Sequence, residues 1–563
     1  MRKNKLRIGL LLDGWELAAW AHRMVEIIKQ SDFAEIALIV QNAMPSGELG
    51  QTPARDAMRG TGSAQIGSVV VRTMLTALQR YLVGKPGVLP DASRNISGMA
   101  LLAGVDVIGV RPRREQHLDY IEGDGVARIR ARNLDVLVSL GSLNPRGGIL
   151  SSARYGVWTC RFGNNTVNCG IPVGYWEVME SCPETVSAVH MLTEHDNSGF
   201  VFCRSYSSTN DRSLTDNESN VLWKTLHFIP RKLKELYEVG EEIFLARVKA
   251  ENAHPHFDDR RQHSVPTNGE LCALLGRKIV QKFRRKWDDV FFLKQWILLY
   301  DIRDEISTSL CRFKRITPPK DLFWADPFIV SRDNKYYIFI EEGLCPDGKG
   351  HISVIVMNKD GTWEPAVPVV EAPYHLSYPF VFEFENDSYM IPESYENHTV
   401  ELYKCTEFPR KWEFQKTLME RCRAVDTTLL QWEGKWWMFS NRTETEGAPP
   451  TDELFLHYSD SPLSDNWIPH QRNPVVSDVR SARPAGRLFV RDGRLYRPSQ
   501  NCSPHYGYGF NICEITKLTE TDYEERVVSR VEPNWDRKIV STHTLNYEDG
   551  LTVIDAELRE RKG

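Results

Sequence analysis

Residues 325–341 read ADPFIVSRDNKYYIFIE, and this stretch decides the fold of the C-terminal half. Ala325-Asp326-Pro327 opens an apolar run from Phe328 to Val330, and Asp333-Asn334 supplies residue types that tolerate the positive φ angles of a tight turn. Tyr336 to Ile340 then returns as an aromatic, β-branched strand ending at Glu341. The same order recurs four times. Tyr378-Pro379 opens Phe380 to Phe384, with a turn at Asn386-Asp387 and a strand from Tyr389 to Ile391 ending at Glu393. Asp426 precedes Leu429 to Trp432, Glu433-Gly434 and Trp436 to Phe439. Arg483-Pro484 precedes Arg487 to Val490, Asp492-Gly493 and Leu495 to Arg497, and His543 precedes Thr544 to Tyr547, Asp549-Gly550 and Leu551 to Ile554. Openings at 326, 379, 426, 483 and 543 lie 47 to 60 residues apart, which suits one four-stranded blade each. The spacing predicts an all-β, five-bladed propeller over residues 316–563.

The innermost strands of a propeller converge on its axis. Asp326, Tyr378, Asp426, Arg483 and His543 are therefore expected to share one cavity although they are far apart in the chain. Two carboxyls, a cation, a phenol and an imidazole suit acid and base work on a glycosidic bond or hydrogen bonding to sugar hydroxyls. Asp326, Asp426 and His543 are the candidate catalytic groups, and Tyr378 and Arg483 the candidates for holding substrate. The competing expectation is structural: the acids and the arginine pair to satisfy buried strand ends, with Arg483 as the partner of Asp326.

Outward from the propeller, residues 1–212 alternate strands and helices, the pattern of a parallel sheet covered on both faces. Leu6 to Asp13, Ile36 to Gln41, Val105 to Val110 and Leu134 to Leu140 are its apolar strands, and Trp15 to Gln30 is an amphipathic helix. Gly141-Ser142 falls where a ligand-facing loop normally sits, and Ser46 to Gly67 reads as a polar loop or lid. Residues 213–315 show helical periodicity through Leu222, Leu226, Ile229, Leu233 and Leu236, then again from Leu271 to Leu299, and are expected to be a helical connecting region. Between the two runs, His254 to Asn268 reads as a solvated linker. Its His254, His256 and Asp258 match no metal-ligand spacing.

A chain of 563 residues needs more than one core, and 41% hydrophobic with 26% charged residues is ordinary for globular domains. The net charge of -5 speaks against a nucleic-acid partner. The basic run Arg277 to Lys286 is interrupted by apolar residues at helical spacing and reads as the solvated face of a helix. No segment is long and apolar enough to span a membrane, and Leu6 to Leu12, broken by Arg7, reads as a buried strand rather than a signal peptide. Eleven cysteines, an odd number without a CxxC pair, fit neither a disulfide framework nor a zinc site. A cytoplasmic location and no metal are expected.

The repeat carries two resemblances. Asp326-Pro327 resembles the first-blade catalytic Asp of five-bladed propeller glycosidases of the arabinanase and β-xylosidase type. Phe323-Trp324-Ala325-Asp326-Pro327-Phe328, His375-Leu376-Ser377-Tyr378-Pro379-Phe380, Asp460-Ser461-Pro462-Leu463 and Arg483-Pro484 more closely resemble the propeller at the N-terminus of glucosamine inositolphosphorylceramide transferases. The glycosidases carry a second Asp and then a Glu at the next two openings, where this chain has Tyr378 and Asp426; Glu393 is the candidate replacement for the general acid. Residues 1–212 resemble the α/β, Rossmann-like domain of 10-formyltetrahydrofolate-dependent formyltransferases, through Leu134 to Leu140, Tyr155-Gly156-Val157-Trp158 and Met191 to Gly199. Thr159 and Arg161 stand where that family has its Asn and His, while the late-loop acid is kept as Asp196. Arg161 cannot serve as a base at neutral pH, but beside Gly163-Asn164-Asn165 it suits a phosphate or carboxylate; Arg161, Asn164 and Asp196 are thus candidate binding residues.

These resemblances imply a carbohydrate-active transferase that modifies or assembles a surface polysaccharide or glycolipid, with a nucleotide sugar as candidate donor. The alternatives are a noncatalytic glycan-binding or scaffolding protein and a propeller-type glycosidase. Without the polarising amide and the proton relay, the purified protein is expected to leave 10-formyltetrahydrofolate unchanged; folate turnover in a spectrophotometric assay would contradict this.

Overall fold

The computed structural model describes residues 4–43, 63–84, 88–115, 118–163, 172–194, 200–253, 266–345 and 348–562. The chain divides into two compact units, Met1–Lys282 with Thr445–Ala448, and Phe283–Glu444 with Pro449–Gly563.

The first unit is built on a seven-stranded sheet in the order Val201–Ser208, Glu184–Met191, Val157–Phe162, Val136–Ser139, Leu6–Leu12, Ala34–Asn42, Val107–Val110. The last five of these strands run parallel, and Glu184–Met191 and Val201–Ser208 extend the sheet antiparallel at one edge. Residues 8–12 of the strand Leu6–Leu12 are a continuous apolar run because both its faces are covered. Helix Ala19–Gln30 lays Trp20, Met24, Val25 and Ile28 on one face, and Asp124–Arg130 lays Val126 and Ile129 on the other. Helices Leu214–Thr225 and Phe228–Val239 carry Leu222, Leu226, Ile229, Leu233 and Leu236 into the same core as the first helix. The run from residue 213 therefore completes the first unit. Of the expected polar loop at Ser46 to Gly67, residues 46–62 lie outside the described residues and the remainder begins helix Ser63–Val83. His254, His256 and Asp258 also lie outside them.

The second unit contains five sheets, four of four strands on the main path or longer and one that the two ends of the unit build together. Their inner hairpins turn through paired left-handed residues: Asp333-Asn334, Glu385-Asn386, Glu433-Gly434, Asp492-Gly493 and Asp549-Gly550 all have φ between 44 and 84°. Two such residues in succession make a type I′ turn, whose twist matches that of the flanking strands. The second turn lies one residue earlier than the sequence suggests, because Phe384 pairs with Asp387. Aromatic and apolar side chains knit neighbouring blades in a ring: Phe328 against Tyr378, Phe382 against Trp436, Phe439 against Tyr523, then Phe510 with Leu545, and Val553 with Ile338.

The fifth blade departs most from the expectation. Helix Asn268–Phe291 stops well short of Leu299, and Phe292–Ile302 is a strand that pairs antiparallel with Leu551–Arg561 along its whole length. Lys314–Ile316 adds the outer strand, while Leu545–Glu548 forms the inner one. The ring is closed by strands from both ends of the unit. Ile297 and Leu298 are fully buried, so no period-2 alternation distinguished this strand from the helix before it. Leu298→Ala, in a segment read from the sequence as connector, is expected to cost about 2 to 5 kcal/mol in denaturant unfolding; a cost near zero would show that the closure contributes little.

Candidate functional site

Blades 1 to 3 present their axial residues by one device. Asp326, Tyr378 and Asp426 have φ of 50, 43 and 51°, each where the ladder slips register: between Ala325 and Phe328, Ser377 and Phe380, and Val425 and Thr428. Left-handed backbone is uncommon for residues other than glycine and least favoured for a bulky one, so the surrounding structure must hold it in place. Bulges of this kind re-aim a side chain at a sheet's end.

Two charge clusters meet at the axis. In the first, Asp555 Oδ1 accepts from the backbone N–H groups of His543 (2.9 Å) and Thr544 (3.0 Å), and Oδ2 accepts from Asp326 N–H (3.1 Å) and Thr544 Oγ1 (2.6 Å). His543 Nδ1 lies 2.8 Å from Asp555 Oδ2, an ion-pair contact bent away from hydrogen-bond geometry, and its Nε2 lies 3.5 Å from Asp326 Oδ1. In the second, Arg483 grips Asp426 bidentately, Nε to Oδ2 at 2.5 Å and Nη2 to Oδ1 at 3.1 Å, and reaches Glu393 Oε2 at 3.4 Å. Gln500 Nε2 donates to Asp426 Oδ2 at 2.6 Å, and Asp426 N–H to Glu393 Oε2 at 3.2 Å. Tyr506, about half exposed, joins the two: the Arg483 guanidinium lies over its ring at 4.8 Å, and its ring centroid is 5.7 Å from that of His543.

Asp326, Asp426, Arg483 and His543 thus converge as the repeat implies, with Glu393 beside Arg483, but the partners differ: His543, not Arg483, faces Asp326. Tyr378 is the residue that does not face an opening. Fully buried, its hydroxyl contacts Thr428 Oγ1 at 2.9 Å and accepts from Gly486 N–H at 2.7 Å, so it braces neighbouring blades. Only glycine fits at 486, where φ is 130° and a Cβ would stand 2.1 Å from Leu545 O.

A second polar ring was not foreseen as a set. Glu341, Glu393, Gln500 and Asp555 each lie on the second strand of a blade hairpin, beside an axial residue. The signal was present in sequence, since the second strand of these blades carries a side chain able to hydrogen-bond. Glu341 also holds His375 Nε2 at 3.1 Å.

Carboxyls outnumber cations here, and burial magnifies the imbalance. Burial first, then Glu341, Asp426 and Asp555, push the Asp326 carboxyl well above the usual range in spite of His543. Burial and Asp426 do the same to Glu393 in spite of Arg483. Asp555 moves the other way: burial opposes its charge, but His543 and its hydrogen bonds hold it low. Burial also opposes charge on His543, yet Asp555 and Asp326 raise it to about 9. Two carboxyls pushed up beside Asp555, which is held low, is an arrangement suited to acid–base work. Ligand atoms of Asp326, His543 and Asp555 lie within 4.8 Å of one another, a group that could hold a metal ion; a metal would have to displace the His543 proton, which the raised pKa of that imidazole opposes.

In the first unit, Arg161 and Thr159 lie on Val157–Phe162, with Arg161 opposite Ala188 and the Thr159 hydroxyl 3.3 Å from Ser139 O. His190, opposite Thr159, is pushed down to about 3 by burial and by Arg161 and Arg204, so it is neutral. Asn164 and Asp196 lie outside the described residues.

Residues 310–542 match the family described as glucosamine inositolphosphorylceramide transferase 1, N-terminal. The propeller is similar to part of those transferases. Over 206 residues the chain is 37% identical to glucosamine inositolphosphorylceramide transferase 1 of Oryza sativa subsp. japonica and 35% identical to that of Arabidopsis thaliana. Each match covers 36% of this chain and 27% of the relative, so the chain spans about a quarter of the length of the curated relatives it matches. Among solved structures, a family 117 glycoside hydrolase from Zobellia galactanivorans aligns with a TM-score of 0.32 at 11% identity, over 47% of this chain and 90% of that one. The catalytic domain of a Coprinopsis cinerea GH62 α-L-arabinofuranosidase aligns with a TM-score of 0.33 at 10% identity, over 47% and 97%.

His543 is raised from 6.5 to about 9 on folding, so the stability its charge contributes is complete below about 6.5 and is lost as pH rises through about 9. The stability gap between wild type and His543→Gln should therefore narrow between pH 6.5 and 9.5 in denaturant unfolding. A gap independent of pH would contradict a charged His543.

Proposed function

We propose that the protein is a carbohydrate-active transferase that modifies or assembles a surface polysaccharide or glycolipid, with the propeller axis receiving the sugar. One observation carries the reading: Asp326 and Glu393 are buried carboxyls whose pKa is pushed well above the ordinary range, beside Asp555, which is held low, and the Arg483–Asp426 pair. A protonated carboxyl can deliver a proton to a leaving oxygen, and a neighbouring carboxylate can take one from an acceptor hydroxyl. The likeness of residues 310–542 to glycolipid-directed transferases supports a glycolipid acceptor, and a nucleotide sugar is the donor class we assign, in the cytoplasm. No organic cofactor is assigned.

A noncatalytic glycan-binding role is favoured by a specific feature. Both oxygens of Asp426 are already taken by Arg483 and Gln500, which ties up one of the candidate catalytic groups. A glycosidase of the propeller type would use the same donors with water as the acceptor. In the first unit, the formyltransferase-type reading rests on Leu134 to Leu140, Tyr155-Gly156-Val157-Trp158 and Met191 to Gly199, and Thr159 and Arg161 in place of Asn and His depart from it. We assign Arg161 to anion binding there, with His190 too weak a base to replace the missing relay.

Incubation with nucleotide sugars and lipid-linked glycans, read by mass spectrometry, separates these readings. A transferase adds a hexose-sized mass to the acceptor, a glycosidase removes one, and a binding protein does neither. Asp326→Asn should abolish turnover while leaving the melting temperature nearly unchanged, because Asn tolerates the left-handed backbone and the wild-type carboxyl is already pushed toward its neutral form. A destabilised variant that still turns over would refute the assignment.

A further inference from the structure

Helix Asn268–Phe291 is apolar on two opposite sides. Leu271, Leu274 and Leu275 are buried against Tyr175, Val178 and Leu214. On the other side Val280, Phe283, Trp287 and Val290 are 67, 71, 61 and 54% exposed, and the Trp287 and Phe291 rings lie tilted to one another with centroids 4.3 Å apart. At about 100° per residue these exposed side chains fall in one stripe roughly 100° wide and about 17 Å long. An exposed tryptophan and two phenylalanines in one stripe are costly to leave in water and mark an interaction surface.

The flanks of the stripe determine what it meets. Arg277 and Arg284 border it on one side and Lys282 and Lys286 on the other; all four are exposed and form no ion pair among the described residues. Of the two acids nearby, Asp288 is neutralised by Arg559 at 2.7 Å, and Asp289 lies about half a turn round from the stripe. A local excess of positive charge in a chain of net charge -5 is complementary to an anionic surface. Lys282 Nζ sits 4.5 Å over the Tyr81 ring.

We propose that this face lies on an anionic lipid bilayer, with the aromatic side chains in the headgroup region and the basic side chains against lipid phosphates. No helix of the described residues is long and apolar enough to cross a membrane, so the contact is interfacial. It stands independently of the chemistry at the propeller axis. The basic run is solvated on a helix as expected, with Arg277, Lys282, Arg284 and Lys286 exposed, and it also borders an apolar stripe.

The test is sedimentation of the full chain with vesicles of phosphatidylcholine, with and without phosphatidylglycerol. The chain should bind the anionic vesicles, less so at high salt. Phe283→Ser with Trp287→Ser should lower the partition coefficient at least about tenfold, and Lys282→Glu, Arg284→Glu and Lys286→Glu together should remove the preference for anionic lipid. Since all five side chains are solvent-facing, the melting temperature should hold in each variant. Failure of the wild type to bind, binding unchanged by the aromatic substitutions, or self-association that those substitutions abolish in a chain that ignores vesicles would each overturn the proposal.

Discussion

The antiparallel pairing of Phe292–Ile302 with Leu551–Arg561 is the constraint on which the second unit depends. It joins the first and last strands of the propeller into one blade and thereby removes the free sheet edges that an open ring would expose. Its consequence for chemistry is direct. Asp555 lies on this closing strand, opposite Leu298, and its carboxylate collects N–H groups from Asp326 of the first blade and His543 of the last. Closure and the axial site are the same event. The strand that completes the ring also sets the charge that keeps His543 protonated.

From there the electrostatics propagate around the axis. His543 faces Asp326, Arg483 grips Asp426 and reaches Glu393, and Tyr506 lies between the two cations. Two buried cations cannot neutralise the carboxyls gathered around them, so the least compensated carboxyls, Asp326 and Glu393, are pushed well above the usual range. The backbone takes part as well, since three successive blades accept left-handed residues at the positions that deliver the axial groups. Such strain persists only where the surroundings over-determine it, and here blade packing through Phe328, Tyr378 and Phe380 does so.

Much of this was legible in the sequence because a repeat turns weak local signals into one strong one. Five hairpins with turn residues at fixed offsets reveal the blades, and the offset of Asp326, Asp426, Arg483 and His543 from the inner strands reveals the convergence. The missing parts have physical reasons. Phe292–Ile302 is buried on both faces and adjoins a helix, so its pattern carries no period of its own. The partners of Asp326 and Asp426 depend on how neighbouring blades rotate about the axis, which no single blade records. Tyr378 shares the offset of the axial residues, but a Thr428 hydroxyl and a Gly486 N–H from other blades capture its phenol. The basic run at Arg277 is the solvated helix face that its spacing implies, but the apolar stripe beside it was not legible, because helical spacing alone does not say which of two apolar faces the core will take.

The central claim is that closure of the ring leaves proton-donating carboxyls at the propeller axis. Carbon-13 NMR of Asp and Glu side-chain carboxyls, assigned by substitution, measures it directly. Asp326 and Glu393 should be protonated at neutral pH while Asp555 is ionised. Titration of all three in the ordinary carboxylate range would contradict the account.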